Sequence, residues 1–433
     1  MSDEGTSQES RLDEIAAATS GASAEGRVAS ADTSAVVPDF PIPASLSFDI
    51  PEDLRMLQLT VRRFVREELM PLEKRVLAEE FVSREEYDRL RQKVRGMGLW
   101  LLTVPKEYGG ADLGALSQVL VMEETSKVLV GQGLFGVAPP GALYRGTPEQ
   151  KDKFLYPILR GEKTWCFALT EPTGGSDPAG NMQTTAIRDG DNWVINGRKV
   201  FITGGDSADF ALVFALTDRE KRQHGGIGAF MVEKGTSGFT VVRTIPTMGG
   251  LSPAELDFQD CVVPDMNRLG GSGEGFTTAQ RTLGAARMQI GARAVGMSER
   301  LLEMGIEYAK NRVAFGKPIA ERQAIQFMLA DCAIEINACR WMTYRSAAKY
   351  ERGEDTRLED SIIKVYASEI MGSVADRVLQ VHGGWGYTKE LPIERFFRIA
   401  RLWRIVEGPN EVHRWVIARA LLRFGIGALR PVN

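Results

Sequence analysis

Glu407 follows apolar Ile405 and Val406 and precedes a glycine, in the run Val406-Glu-Gly-Pro-Asn-Glu-Val412. A glycine beside a carboxylate lets a ligand approach backbone and side chain together, the setting of a general base that must meet a weak carbon acid. Read by itself, Glu407 looks like an ordinary helix-start acid or a solvated charge, since free N–H groups at a helix start favour acids. A second cluster, Phe167-Ala-Leu-Thr-Glu-Pro-Thr-Gly-Gly-Ser-Asp177, ends an apolar run in a glycine-rich loop bearing hydroxyls. Such a loop either brings backbone against a flat or anionic ligand or forms an ordinary turn. A third, Gln380-Val-His-Gly-Gly-Trp-Gly386, closes a helical stretch. No GxGxxG opens a helix after a strand and no GxxxxGK[ST] occurs, so Rossmann and P-loop chemistry is not expected. The histidines are His224, His382 and His413, none at HxxxH or HExxH spacing, so neither a metal site nor a histidine-based nucleophile is expected.

The elements that must position these groups fall into blocks. Asp49 and Pro51 supply a start ahead of Leu54, Leu57, Val61, Phe64, Val65 and Leu69 at helical spacing, and helical pattern continues over 84–97 and 113–128. From residue 164 the period shortens. Short runs rich in Val, Ile, Thr and Phe cover 183–188, 192–195, 199–202, 210–216, 228–232, 239–244 and 255–258, separated by turns such as Asp189-Gly190-Asp191 and Asn196-Gly197. No helical pattern lies between them, which predicts an antiparallel β domain. Helical spacing returns over 276–315, 319–352, 358–382 and 412–424, with Gly316-Lys317-Pro318 breaking the first two apart. The predicted fold class is α+β: a disordered tail over 1–44, an N-terminal helical domain over 45–163, a β domain over 164–272 and a C-terminal bundle of long helices over 273–433.

A chain of 433 residues has room to bury a cofactor, and a formal net charge of −4 leaves no excess of positive charge for nucleic acid or an anionic membrane surface. The 4 cysteines, Cys166, Cys261, Cys332 and Cys339, form no CxxC pair and read as reduced thiols of a cytoplasmic protein. No apolar run reaches the ~18 to 20 residues of a membrane span, so a soluble protein is expected. The tail lacks an apolar secretory core, and Asp3, Glu4, Glu9, Asp13 and Glu14 set it apart from acid-poor mitochondrial leaders.

Taken in order, the clusters resemble the acyl-CoA dehydrogenase family over nearly the whole chain, from about Leu46 to Phe424. The family's first signature is similar to 167–177, its cofactor-facing helix end to Asn311-Arg-Val-Ala-Phe-Gly-Lys-Pro318, and the following helix to Glu321-Arg-Gln-Ala-Ile-Gln-Phe-Met-Leu-Ala-Asp331. The resemblance implies FAD and an acyl-CoA thioester. By it, Phe167, Leu169, Thr170 and Ser176 line the flavin, with Thr170 on the pyrimidine side and Ser176 near the CoA phosphates. Phe201 and Thr203 cover the isoalloxazine, the Thr203 hydroxyl facing flavin N5. Arg312, beside Phe315, neutralises the pyrophosphate, while Arg322, Gln323 and the loop of Gln380, Gly383 and Gly384 hold the adenine half across two subunits. A homo-oligomer, dimer or tetramer, follows.

The resemblance also implies the reaction. Glu407 takes the α-proton while the β-hydrogen leaves as hydride to flavin N5, giving a trans-2-enoyl-CoA, with electrons passed on to an electron-transfer flavoprotein. Gly408, Arg287 and Arg419 would face substrate, and burial beside the flavin is expected to raise the Glu407 pKa. Departures from the family pattern are Phe201 for a common tryptophan, Ala314 for a hydroxyl, and Pro409 and Glu411 for Thr and Gln beside the cofactor. The helix position where some members carry the catalytic acid reads Gly284-Ala-Ala-Arg287, without a carboxylate, which leaves Glu407 as the matching base. A same-fold flavin oxidase acting on a small carbon acid needs the same carboxylate and cofactor and is the alternative.

Overall fold

The computed structural model describes residues 50–78, 82–131 and 133–429, so the expected tail over 1–44 and the helix cap at Asp49 lie outside the described residues. Helix α1, Glu52–Phe64, starts after Pro51, with Glu52 and Asp53 in its first turn and Arg62 and Arg63 in its last, matching the helix dipole. It packs Val61 and Phe64 against Leu90 and Val94 of α2, Arg84–Gly96, and Val121 of α3, Ala115–Thr125. The Ser83 side chain caps α2 by accepting the Glu86 N–H.

The strands are β1 Trp165–Ala168, β2 Thr185–Asp189, β3 Asn192–Ile202, β4 Phe210–Leu216, β5 Ile227–Glu233, β6 Phe239–Thr244 and β7 Ala254–Pro264. They form one sheet in the order β1-β4-β2-β3-β7-β6, with β5 added on β4. The sheet departs from the expected all-antiparallel pattern, because β1 and β2 both pair parallel to β4. Asn196-Gly197, expected as a turn, instead lies inside the 11-residue β3 at a register shift. The reason is close approach: Gly197 has φ +148°, and a Cβ there would sit 2.5 Å from Thr184 Oγ1.

The C-terminal block comprises α4 Gly275–Asn311, α5 Gln323–Glu351, α6 Arg357–His382, α7 Ile393–Leu402 and α8 Asn410–Phe424. Helix α4 stops short of the predicted 315 because Val313–Ala314 pairs with Lys317–Pro318 in a tight hairpin through Phe315 and Gly316, both at positive φ. Helix α7 has no counterpart in the sequence reading; it is short and buries only Ile393, Phe396 and Ala400. Glycines set the closest helix crossings: a Cβ at Gly296 would lie 2.0 Å from the Glu123 carbonyl, and one at Gly291 would lie 2.2 Å from Thr343 Oγ1. Across that contact, buried Glu123 accepts from Arg340 Nη2 at 2.9 Å and from the Tyr344 hydroxyl at 2.7 Å, joining α3 to α5. Among the described residues no helix is long and apolar enough to cross a membrane, and no group of acids, histidines and cysteines could hold a metal.

Candidate active site

Between α7 and α8 the chain makes a turn in which Glu407 has φ +57° and Gly408 φ +89°. A non-glycine residue in this region costs about 1–3 kcal/mol and needs support from its surroundings. Here the Glu407 carbonyl accepts hydrogen bonds from Arg287 Nε at 3.3 Å and His413 Nε2 at 3.0 Å. The next turn is pinned through Asn410, whose Oδ1 accepts from Lys364 Nζ at 2.8 Å and Ser368 Oγ at 3.0 Å, while its N–H donates to Arg404 O at 3.1 Å. Since a carbonyl can only accept, His413 carries its proton on Nε2; burial pushes its pKa down to about 4, so the ring is neutral.

The Glu407 carboxylate differs from every other acid of this loop in that Oε2 is buried with no hydrogen-bond partner among the described residues. Burial raises its pKa, against the opposing charges of Arg287, Lys364 and Arg293. A desolvated carboxylate with an unoccupied lone pair on a braced backbone is equipped to accept a proton from a ligand held against it.

In the β domain, the Val200 N–H donates to Thr170 O at 2.9 Å and Lys199 Nζ to Leu169 O at 3.0 Å, which brings the 167–177 loop against the end of β3. The anchor is the wholly buried Lys199–Glu171 ion pair at 2.8 Å, completed by N–H donors from Gln183 and Thr184 at 2.6 and 3.0 Å. Burial lowers the Lys199 pKa to about 8, whereas Lys199 and the donors outweigh burial at Glu171 and hold it below the usual carboxylate range. Phe167 packs against Phe214, Leu169 is buried, and Ser176 is exposed. Phe201 lies just beyond this anchor with φ +59° and 60% of its surface exposed, followed by exposed Thr203. An aromatic ring turned outward by unusual backbone geometry, beside hydroxyls, fits the face of a flat cofactor.

At the end of α4, Arg312 is exposed with no ion-pair partner among the described residues, and Phe315 beside it is 97% exposed at φ +53°. Arg322 Nη2 ties the hairpin by donating to Ala314 O at 3.1 Å, and Gln323 opens α5. Gln380, Gly383 and Gly384 are exposed at the end of α6, where His382 stacks on Tyr308. A free cation beside an exposed aromatic suits an anionic chain attached to a flat ring. Pro409 precedes α8 and Glu411 is exposed in its first turn; Arg419 lies over its own helix neighbour Trp415 at 4.6 Å, away from any described contact with Glu407.

A cavity of about 1340 Å³ is lined by the N-terminal helices, α4 and α7, including Leu101, Tyr144, Ala286, Arg293, Phe396 and Trp403; Glu407 is not among its lining residues. His413, Lys364, Asn410, Arg293 and Trp403 were not singled out from the sequence. The spacing of Asn410 and His413 three and six residues after Glu407, within the first turns of a helix, is a signal that could have marked two of them.

The three-block architecture, helices, then a sheet, then long helices with a braced and buried carboxylate, is that of one family of oxidoreductases. The chain belongs to the acyl-CoA dehydrogenase family, whose N-terminal, middle and C-terminal domain models match residues 51–162, 166–261 and 273–422. It is 39% identical over 375 residues to an acyl-CoA dehydrogenase of Bacillus subtilis, covering 85% of this chain and 97% of the relative. It is also 39% identical over 385 residues to the human mitochondrial short-chain specific acyl-CoA dehydrogenase, covering 87% and 92%. The solved butyryl-CoA dehydrogenase of Megasphaera elsdenii matches with a TM-score of 0.79 at 35% identity, over 87% of this chain and 100% of that one.

Proposed function

We propose that this chain is an FAD-dependent acyl-CoA dehydrogenase that converts a saturated acyl-CoA to its trans-2-enoyl-CoA, with Glu407 as the base for the α-proton. The observation that carries the assignment is the Glu407 Oε2 atom, buried and unbonded in a loop whose backbone is held from two sides. FAD, when bound, supplies the two-electron acceptor for the β-hydrogen, which leaves as hydride. The α C–H beside a thioester is a very weak acid, so the base must be in contact and the developing enolate oxygen must meet donors. The Glu407 N–H, with no partner among the described residues, would donate to the thioester carbonyl in this reading. Positive φ at Glu407 lets its backbone N–H and side chain serve one ligand, and Gly408 keeps the approach open.

In this reading Phe167, Leu169, Thr170, Phe201 and Thr203 flank the flavin, with Pro409 and Glu411 near it, and Ser176 meets the CoA phosphates. Arg312, Phe315, Arg322 and Gln323 hold the adenine half together with Gln380, Gly383 and Gly384 of a second copy, making the enzyme a homo-oligomer of two or four chains. Arg287 and Arg419 serve the substrate, an electron-transfer flavoprotein takes the electrons, and the enzyme works in the cytoplasm. Its buried, unpaired cysteines support the last point.

The test is anaerobic flavin bleaching by a panel of acyl-CoAs with wild type and Glu407→Gln. Loss of the base is expected to slow bleaching at least about a hundredfold with FAD still bound. Bleaching of the variant at the wild-type rate would remove Glu407 from the role. Steady peroxide formation without any CoA substrate would replace the dehydrogenase by an oxidase.

A further inference from the structure

Lys364, in α6, is fully buried, and among the described residues no carboxylate lies within ion-pair distance of it. A buried ammonium normally needs a paired acid, because the desolvation of its charge is otherwise uncompensated. Here Nζ donates instead to Asn410 Oδ1 at 2.8 Å and to Arg404 O at 3.4 Å. These acceptors lie at the two ends of the turn that carries Glu407, three residues before it and three after. The same ends are joined directly by the Asn410 N–H on Arg404 O at 3.1 Å. One side chain from a neighbouring helix therefore closes the turn around the base. Hydrogen bonding by itself does not call for a charge at this place, since the neutral Ser368 hydroxyl serves the same Asn410 oxygen at 3.0 Å.

The charged groups around Lys364 leave Glu407 as the acid on which this cation acts with least screening. Burial pushes the Lys364 pKa down to about 8, against the pull of Glu411, Glu407 and Glu369 and helped by Arg287 of α4, so below that pH it carries its charge. Glu411 on α8 is exposed, where water and salt screen it, and Glu369 on α6 bonds Arg414 and the Asn410 amide. Asp360 of α6 accepts from Ser346 of α5, Arg377 of α6 pairs with Glu335 of α5, and Arg398 of α7 pairs with Glu394. His413 on α8 is neutral. Glu407 Oε2, by contrast, is buried and bonds nothing, and Lys364 opposes the effect of that burial, after Arg287 and ahead of Arg293.

We infer that Lys364 is a positioning residue for the base: it clasps the turn of Glu407 at both ends, and its charge keeps the Glu407 carboxylate ionised and ready to accept the α-proton. The inference rests on the dehydrogenase reading and deepens it by naming a group that governs the same site without touching substrate. Proton abstraction needs the anionic form, and a buried carboxylate with no hydrogen-bond donor drifts toward the neutral one. A cation held nearby reverses part of that drift. It lowers the basicity of Glu407 somewhat and enlarges the fraction of enzyme that can react near neutral pH.

The experiment follows anaerobic flavin bleaching of the FAD-loaded enzyme against pH, with whichever of butyryl-, octanoyl- and isobutyryl-CoA bleaches wild type fastest. Calorimetric titration of the matching enoyl-CoA gives affinity without turnover. Lys364→Gln keeps a donor for the turn and removes the charge. Its limb of rising rate is expected about one pH unit above that of wild type, so that one unit below the wild-type midpoint it bleaches about tenfold more slowly. Its plateau at high pH and its enoyl-CoA affinity should stay within about threefold of wild type. Lys364→Met removes donor and charge together and should show the same displaced limb with a plateau lowered about tenfold. Ser368→Ala loosens the same Asn410 oxygen without touching a charge and should leave the limb in place. Should Lys364→Gln fail to load FAD, Lys364→Arg, which keeps the charge, is expected to keep the wild-type limb, and an upward displacement there would overturn the inference. A Lys364→Gln limb that coincides with wild type overturns it too, as does a rate lowered equally at every pH. A limb moved as far by Ser368→Ala would also overturn it, because loosening of the turn would then explain the shift. All of these leave the dehydrogenase standing, whereas a wild type bleached by no acyl-CoA takes down that reading itself.

Discussion

His413 Nε2 lies 3.0 Å from the carbonyl oxygen of Glu407, six residues earlier, so the first turns of α8 reach back and hold the residue in its left-handed conformation. Replacing His413 by Phe keeps an aromatic ring but removes the donor, leaving Arg287 Nε at 3.3 Å as the remaining hydrogen bond to that carbonyl. Loss of one buried hydrogen bond costs about 1–3 kcal/mol, and here it falls on the geometry of the base. The expected outcome is a fall of about tenfold or more in the rate of flavin bleaching, with a smaller change in apparent substrate affinity. Stopped-flow bleaching measures the first and its substrate dependence the second.

The same histidine makes the fold sensitive to acid. Its pKa is pushed from 6.5 to about 4 by burial, so the unfolded chain binds the proton more readily than the native one in that interval. Stability attributable to the neutral ring is complete above about 6.5 and is lost progressively as pH falls toward about 4, to a total of about 3 kcal/mol. Urea unfolding of wild type and His413→Phe between these limits should show a steeper loss in the wild type. Parallel curves would mean that the buried ring contributes nothing to acid sensitivity.

Glu407 sets the pH dependence of turnover at a higher pH than an exposed acid would. Burial raises its pKa, with Arg287, Lys364 and Arg293 pulling it back, so the protonated and inactive form persists above the ordinary carboxylate range. Flavin bleaching should therefore rise with pH through a limb that lies above ~4.3, the value of a free glutamate. Arg287→Gln removes the first of the opposing charges and should move that limb further up. A limb that stays put in this variant would dissociate Arg287 from the Glu407 charge.

Much of this was legible in the residues, and the failures share a cause. Periodicity located the long helices, whereas β4, buried at every residue and therefore on both faces, was found by its continuous apolar run. Asn196-Gly197 misled because the same dipeptide that makes a hairpin turn also permits the approach of Thr184 at 2.5 Å, and only the partner strand decides between them. Glu407 could be picked out by its glycine and by resemblance, but its positive φ and unbonded oxygen depend on Arg287, 120 positions away. Arg293 and Trp403 gave no signal at all, since an arginine in a helix and a tryptophan before a turn are brought together only by the fold.

Packing at Gly296 offers a prediction on stability alone. A Cβ there would lie 2.0 Å from the Glu123 carbonyl, a backbone atom that cannot swing aside. Gly296→Ala must push α3 from α4 and is expected to cost about 1–3 kcal/mol despite the better helix propensity of alanine. Thermal unfolding of the FAD-loaded protein reads this directly, and an unchanged midpoint would show that the two helices slide without strain.

Lys199 and Glu171 make the strongest case for a structural group that serves the cofactor face without touching it. The pair is buried at 2.8 Å, and Lys199 also donates to Leu169 O, adjoining the Thr170–Val200 backbone bond that leads into Phe201. Lys199→Met leaves Glu171 buried with the N–H groups of Gln183 and Thr184 but no cation, a situation that costs about 3–5 kcal/mol. The loop at 167–177 should loosen from β3, and FAD should be retained more weakly on gel filtration. Because the cost comes from the uncompensated charge, Lys199→Met combined with Glu171→Gln should recover part of the stability, with a double-mutant coupling of about 0.5–3 kcal/mol. If the double variant is as unstable as the sum of the single ones, the charges act independently and the loop is held by its backbone bonds alone.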